Sequence, residues 1–141
     1  MGNILEENGV NVIYTRTSDV YTSPAGKAAM ANASGADYFL SIHRNSSPYD
    51  NQYTGVESLV YSKNGIARTI AENINRELTR VGFVNQGIQE RPNLAVLRRT
   101  DMPAVLVEVG FINTDKDNIR FDTQFQEIAR AIATGLLKSI S

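Results

Sequence analysis

Apolar and polar positions divide the chain into short continuous apolar runs and longer stretches with helical spacing. Residues 38–43 (Tyr-Phe-Leu-Ser-Ile-His) and 104–112 (Ala-Val-Leu-Val-Glu-Val-Gly-Phe-Ile) are apolar runs bounded by turn residues. Such runs predict buried parallel strands, and open α/β sheets bind ligands at the carboxyl ends of their strands. Residues 55–61 alternate instead, with Val56, Ser58 and Val60 on one face and Glu57, Leu59 and Tyr61 on the other. A further strand is expected over residues 10–15, directly after Gly9.

Helical spacing fills most of the rest. Ile66, Ile70, Ile74 and Leu78 recur every four residues and form one stripe of a helix over 65–81, with Glu72 and Arg76 as an i,i+4 ion pair. Pro24 suits the first turn of a helix that Gly35 ends, with Ala28, Ala29, Met30 and Ala33 available for packing. Residues 124–139 predict the last helix, with Phe125, Ile128, Ala129, Ile132, Leu136 and Ile140 toward the core, and residues 114–117 resemble a helix start with acidic residues near its positive end. Residues 1–9 read as the last turns of a helix stopped at Asn8-Gly9. Three stretches carry neither period. Residues 45–54 form a polar loop longer than the usual connection, residues 82–92 an irregular loop, and residues 94–97 a short strand or extended segment. Strands alternating with helices predict an α/β fold with three layers, a mostly parallel sheet covered by helices on both faces. At 141 residues the chain is expected to be one domain.

Composition narrows the chemistry. A net charge of −1 and a pI near 5.8 give no field that would gather nucleic acid or an anionic membrane surface. With no cysteine, disulfides and thiolate chemistry are excluded, and any metal must be held by histidine and carboxylates. No apolar run approaches the roughly 20 residues of a membrane span, and the N-terminus lacks a signal-peptide pattern, so work outside a cell would require export by means not encoded here.

Two strand ends stand out. His43 is the single histidine, and it closes an apolar strand where side chains meet solvent rather than core. If that strand stays extended, Ser41, His43 and Asn45 share one side. Glu108 lies inside Val-Leu-Val-Glu-Val, where a carboxylate is costly unless compensated. Arg98 or Arg99 could satisfy it; alternatively it is a general base. Glu57 reads as a sheet-face or surface residue beside bulky Leu59 and Tyr61. No Gly-x-Ser-x-Gly elbow and no Gly-rich phosphate loop is present, against serine-nucleophile and nucleotide-binding readings.

The segments Ser41-Ile-His-Arg-Asn-Ser46, Gly55-Val-Glu57, Leu94-Ala-Val-Leu-Arg98 and Met102-Pro-Ala-Val-Leu-Val-Glu-Val-Gly-Phe-Ile-Asn113, together with Tyr14-Thr-Arg16, resemble the zinc-dependent N-acetylmuramoyl-L-alanine amidases over essentially the whole chain. The resemblance implies hydrolysis of the amide between N-acetylmuramic acid and the first L-alanine of the peptidoglycan stem peptide. It implies His43 as one of three zinc ligands and Glu108 as the catalytic acid/base; Asn45, on the His43 side of its strand, and Arg98 are candidate substrate contacts. The other two ligands, in a histidine turn after a first strand and in a first helix, have no counterpart in this chain. It is therefore expected to be N-terminally truncated, with an incomplete zinc site, and to expose a sheet edge through which copies could dimerise. The expected partner is peptidoglycan and the expected location extracellular or cell wall, as for an autolysin or endolysin. Two rivals remain: a non-catalytic peptidoglycan-binding module, and a structural α/β domain in which His43 and Glu108 are merely packed polar residues.

Overall fold

The computed structural model describes all residues, 1–141. Four strands form one sheet: β1 (Phe39–Asn45), β2 (Val56–Val60), β3 (Asn85–Glu90) and β4 (Ala104–Phe111), in the order β1-β4-β2-β3. β1 and β4 run parallel, as do β2 and β3, and the two pairs join through an antiparallel β2–β4 contact. The sheet is thus mostly parallel, as the pattern predicts. Six helices accompany it: α1 (Gly2–Glu7), α2 (Pro24–Ser34), α3 (Gly65–Val81), α4 (Ala95–Arg98), α5 (Asp115–Thr123) and α6 (Phe125–Ile140).

One sheet face is apolar apart from Ser58, whose buried hydroxyl donates to Asn75 of α3 at 2.7 Å. Val56 and Val60 of β2 and Val105, Val107 and Val109 of β4 pack there against Ile70, Ile74 and Leu78 of α3 and Ile128, Ile132 and Leu136 of α6. The stripe read from spacing is therefore the core of the molecule. Gly135 of α6 lets the two helices touch: a Cβ there would lie 2.6 Å from the Ile74 Cα. Gly135→Ala gains roughly 1 kcal/mol of helix propensity, yet the forced separation of two packed backbones outweighs it. We expect a net loss of about 1–3 kcal/mol, read by urea unfolding.

The other face is divided. Leu59, Ala104 and Leu106 pack with Val96 and Leu97 of α4, and Phe39 and Leu94 lie against them. Farther along the same face, toward the carboxyl ends of β1 and β4, the residues turn polar and no apolar cluster covers them.

Several expectations change. Residues 94–97 are not extended but lead into α4, because Val96 and Leu97 are needed together on the sheet. Residues 82–92 contain β3, a polar edge strand whose backbone pairs with β2 although Ile88 is its single apolar residue. Residues 10–15 join no strand, and Ile13 and Tyr14 are exposed. In α2 the buried residues are Ala28 and Ala31, whereas Met30 faces outward. Glu72 pairs with Arg68 at 2.7 Å rather than with Arg76, which donates to Asn73. Phe125 is exposed and meets Phe121 edge to face instead of entering the core.

Candidate active site

The divided face carries the site. His43 of β1 lies in register with Glu108 of β4, and Glu108 lies in register with Glu57 of β2. In-register residues on adjacent strands point to the same side, about 4.8 Å apart along the hydrogen-bonding direction. His43, Glu108 and Glu57 therefore form a row across three strands, two residues beyond the row of Ser41, Leu106 and Leu59. Alternation alone placed Glu57 opposite Val56 and Val60; the antiparallel pairing is what brings it beside Glu108.

Glu108 is half-buried, and its Oε2 is buried with no hydrogen-bond partner. Arg98 and Arg99 do not pair with it; the ion pairs are Arg68–Glu72, Arg80–Glu77 and Lys138–Glu77. Burial, and then the neighbouring Glu57 carboxylate, push the Glu108 pKa above the ordinary carboxylate value. A carboxyl group in this condition can both accept and return a proton.

His43 sits on the open side, and its Nε2 shares a 2.9 Å hydrogen bond with the Ser41 hydroxyl, which orients the ring. Surrounding protein first, and the Lys27 charge second, lower its pKa, so the imidazole is held neutral. Ser41 was visible in the sequence as the i−2 neighbour of His43 on an extended strand, and the structure brings the two together as alternation predicts. Asn45 follows a register shift between His43 and Asn45. Its Oδ1 accepts from the Ser46 N–H and its carbonyl from the Ile112 N–H at 2.7 Å. Arg98 is exposed at the end of α4 and lines a hollow of about 460 Å³ with Tyr61, Met102 and Ala104, at the opposite end of β4 from Glu108.

What holds the row in place is Asp117, which sequence reading treated simply as an acidic residue near a helix start. It is fully buried in the first turns of α5 and accepts from the Thr54 hydroxyl at 2.6 Å and from the N–H groups of Gly55 and Phe111, each at 2.9 Å. Gly55 lies two residues before Glu57, and Phe111 three after Glu108. Gly110, with φ +73, supplies the kink that points the Phe111 N–H at the carboxylate, and a Cβ there would lie 3.0 Å from the Asp117 Cβ.

No three histidine, cysteine, aspartate or glutamate side chains converge as a metal site. Catalytic zinc takes three protein ligands and an open position, so the residues present do not by themselves fit the ion. No helix is long and apolar enough to cross a membrane.

A family model for N-acetylmuramoyl-L-alanine amidase matches residues 1–138. The chain belongs to the N-acetylmuramoyl-L-alanine amidase family. It is 39% identical over 135 residues to the sporulation-specific N-acetylmuramoyl-L-alanine amidase of Bacillus subtilis, covering 93% of this chain and 51% of that protein. It is 37% identical over 140 residues to the amidase CwlM of Bacillus licheniformis, covering 96% and 53%. Thus the chain spans about half the length of these relatives. Among solved structures, the N-acetylmuramoyl-L-alanine amidase from Clostridium difficile 630 superposes with a TM-score of 0.88 at 32% identity, covering 97% of this chain and 76% of that one. The α/β fold is what the alternating strands and helices predict, and the solved amidase shares it.

Proposed function

We propose that this chain is the amidase catalytic domain of a peptidoglycan hydrolase, acting on the amide between N-acetylmuramic acid and L-alanine of the stem peptide. The observation that carries the reading is the Glu108 carboxylate, half-buried and unpaired beside His43 at the carboxyl ends of two parallel strands. Glu108 takes a proton from the attacking water and returns one to the leaving alanine amine as the C–N bond breaks. Ser41 orients His43, and the Asp117 clamp keeps Glu108 and Glu57 in register. Asn45, at the end of β1, contacts the scissile region, and Arg98 meets a more distant part of the polymer. His43 serves as one zinc ligand; a catalytic ion needs donors in addition to those of this chain. The place of action is the cell wall, and the position of β1 at the end of the strand order, with Ile42 41% exposed, supports pairing between copies.

Purified peptidoglycan incubated in excess zinc with a longer form of the protein that supplies the two further zinc donors is expected to yield new N-terminal L-alanine and no new reducing ends, whereas the 141-residue chain, with His43 as its one ligand, is expected to cleave far more slowly. New reducing ends would indicate a glycosidase. Sedimentation with the polymer without any new amine would favour the non-catalytic binding module. For the metal, the isolated chain is expected to retain far less than one zinc per molecule after dialysis, and His43→Ala to lower the residual affinity further. Stoichiometric zinc in the parent, or unchanged affinity in the variant, would contradict the ligand assignment.

A further inference from the structure

Between β1 and β2 the chain crosses residues 46–55, which contain no helix or strand, yet this loop is fixed along its length. Asn113 is its main fastener: its Nδ2 donates to the Ser47 carbonyl at 2.8 Å and the Tyr49 carbonyl at 3.3 Å, and its Oδ1 accepts from the Ser47 N–H at 3.1 Å. Asn51, the one non-glycine residue with positive φ (+59), donates its N–H to the Asn113 carbonyl and accepts the Asp115 N–H on its side chain at 2.8 Å. The Thr114 hydroxyl donates to the Tyr53 carbonyl at 2.5 Å. These bonds hold the backbone of the loop while leaving its largest side chains open to solvent: Tyr49 is 72% exposed, and Tyr53 is 51% exposed with one part of its ring tilted against Phe111, centroids 6.0 Å apart.

The loop begins three residues after His43 and ends two before Glu57, so it borders the catalytic row at both ends. Even fully extended, the four residues from Tyr53 to Glu57 span at most about 14 Å. A loop that merely connects strands has no need of such fastening, and exposed tyrosines gain nothing in the core. A preordered loop offering rigid aromatic faces lowers the entropy cost of binding.

We infer that the 46–55 loop is a glycan-binding subsite, in which Tyr49 and Tyr53 offer ring faces to the amino sugars flanking the muramoyl residue at the catalytic row. This rests on the amidase reading. Charge decides between the two parts of the polymer. From Asn45 to Gly55 the single charged side chain is Asp50, and no Lys or Arg is present. Such a surface suits neutral sugar rings and backbone amides, whereas a stem peptide bearing free carboxylates would call for cations. Apolar ring faces next to hydroxyl and amide groups match the C–H faces and polar rims of pyranose rings.

The test is binding of the 141-residue chain to glycan strands stripped of stem peptides, with the freed muramoyl carboxyls capped as methylamides to keep the strands neutral, measured by cosedimentation and by amide chemical shifts. We expect binding, with shifts concentrated in residues 46–55 and 111–115, and a loss of about tenfold in affinity for the double variant Tyr49→Ala, Tyr53→Ala. Tyr21→Ala, which removes a tyrosine that is 85% exposed elsewhere, should bind as the parent does. Matching melting temperatures guard against a folding effect, and Tyr49→Phe, which keeps the ring, should retain binding. The inference is overturned if the parent ignores stripped glycan, whether or not it binds intact peptidoglycan, or if the double variant binds unchanged. Glycan binding by the chain, with no amide cleavage by the longer form that supplies the further zinc donors, would count against the amidase reading and leave the subsite standing.

Discussion

Asp117→Ala should destabilise the protein by about 3–5 kcal/mol, a large fraction of the 5–15 kcal/mol typical of a domain. The side chain is fully buried and satisfies two backbone N–H groups, those of Gly55 and Phe111, besides the Thr54 hydroxyl. A buried N–H left without an acceptor costs about 1–3 kcal/mol, and two are orphaned at once. Arg44 loses a counter-charge as well: its pKa is lowered chiefly by burial, and Asp117 and Asp122 oppose that shift. Neither orphaned group can turn to another acceptor cheaply. Gly55 is at φ +111 with its Cα hydrogen against the Val84 carbonyl, where a Cβ would come within 2.3 Å, and Gly110 is fixed at φ +73. Asp117→Asn keeps one acceptor oxygen but turns amide hydrogens toward donors, so an intermediate loss is expected. Chemical denaturation of the three proteins gives the order directly. A loss below about 1 kcal/mol for the alanine variant would show that the carboxylate is not the clamp joining β2 to β4.

The same residue marks the boundary of what the sequence reveals. Helices α3 and α6 were legible because their apolar spacing of three and four coincides with burial against a single sheet face, and α2 because Pro24 at its start and Gly35 at its end bound it. β3 was not, because an edge strand such as Asn85–Glu90 is set by backbone pairing with β2 and needs no apolar alternation. Residues 94–97 misled for the opposite reason: four consecutive apolar residues carry no period that separates strand from helix, and the demand of Leu59, Ala104 and Leu106 for cover decides the matter. At the site, His43 announced itself as a polar residue closing an apolar run and Glu108 as a carboxylate inside one. Their adjacency did not, since β1 and β4 are paired by sheet order rather than by sequence. Glu57 was passed over because its role depends on the antiparallel register with β4. Asp117 was read as an ordinary acidic residue near a helix start, and nothing local distinguishes it from Asp115, which lies exposed two positions earlier.

On the proposed amidase reading, Glu108→Gln should separate catalysis from stability, lowering amide cleavage in the longer form that supplies the further zinc donors while raising the melting temperature of the 141-residue chain. Removal of a positioned general acid/base costs about 10²–10⁴-fold in rate, and glutamine, similar in shape, leaves the strand packing intact. The stability gain follows from the raised Glu108 pKa. In the unfolded chain this carboxyl ionises near its ordinary value, about 4.3. In the folded protein, burial and Glu57 delay ionisation to higher pH. Between those two points the folded state holds the extra proton, so stability falls as pH rises through the window and stays lowered above the folded pKa. Glutamine never ionises and escapes that loss. The melting temperature of the variant should therefore exceed that of the parent at pH 7–8, and the difference should close as pH falls toward about 4. Glu57→Gln should act in the same direction but more weakly, because its charge is the second cause of the shift and burial the first. Two results would remove Glu108 from its role: cleavage by the glutamine variant within a few-fold of the parent, or a stability difference that does not depend on pH. The second alone would mean that the carboxylate is relieved by a partner in solution, and then the unpaired Oε2 could not serve as the proton-transfer site.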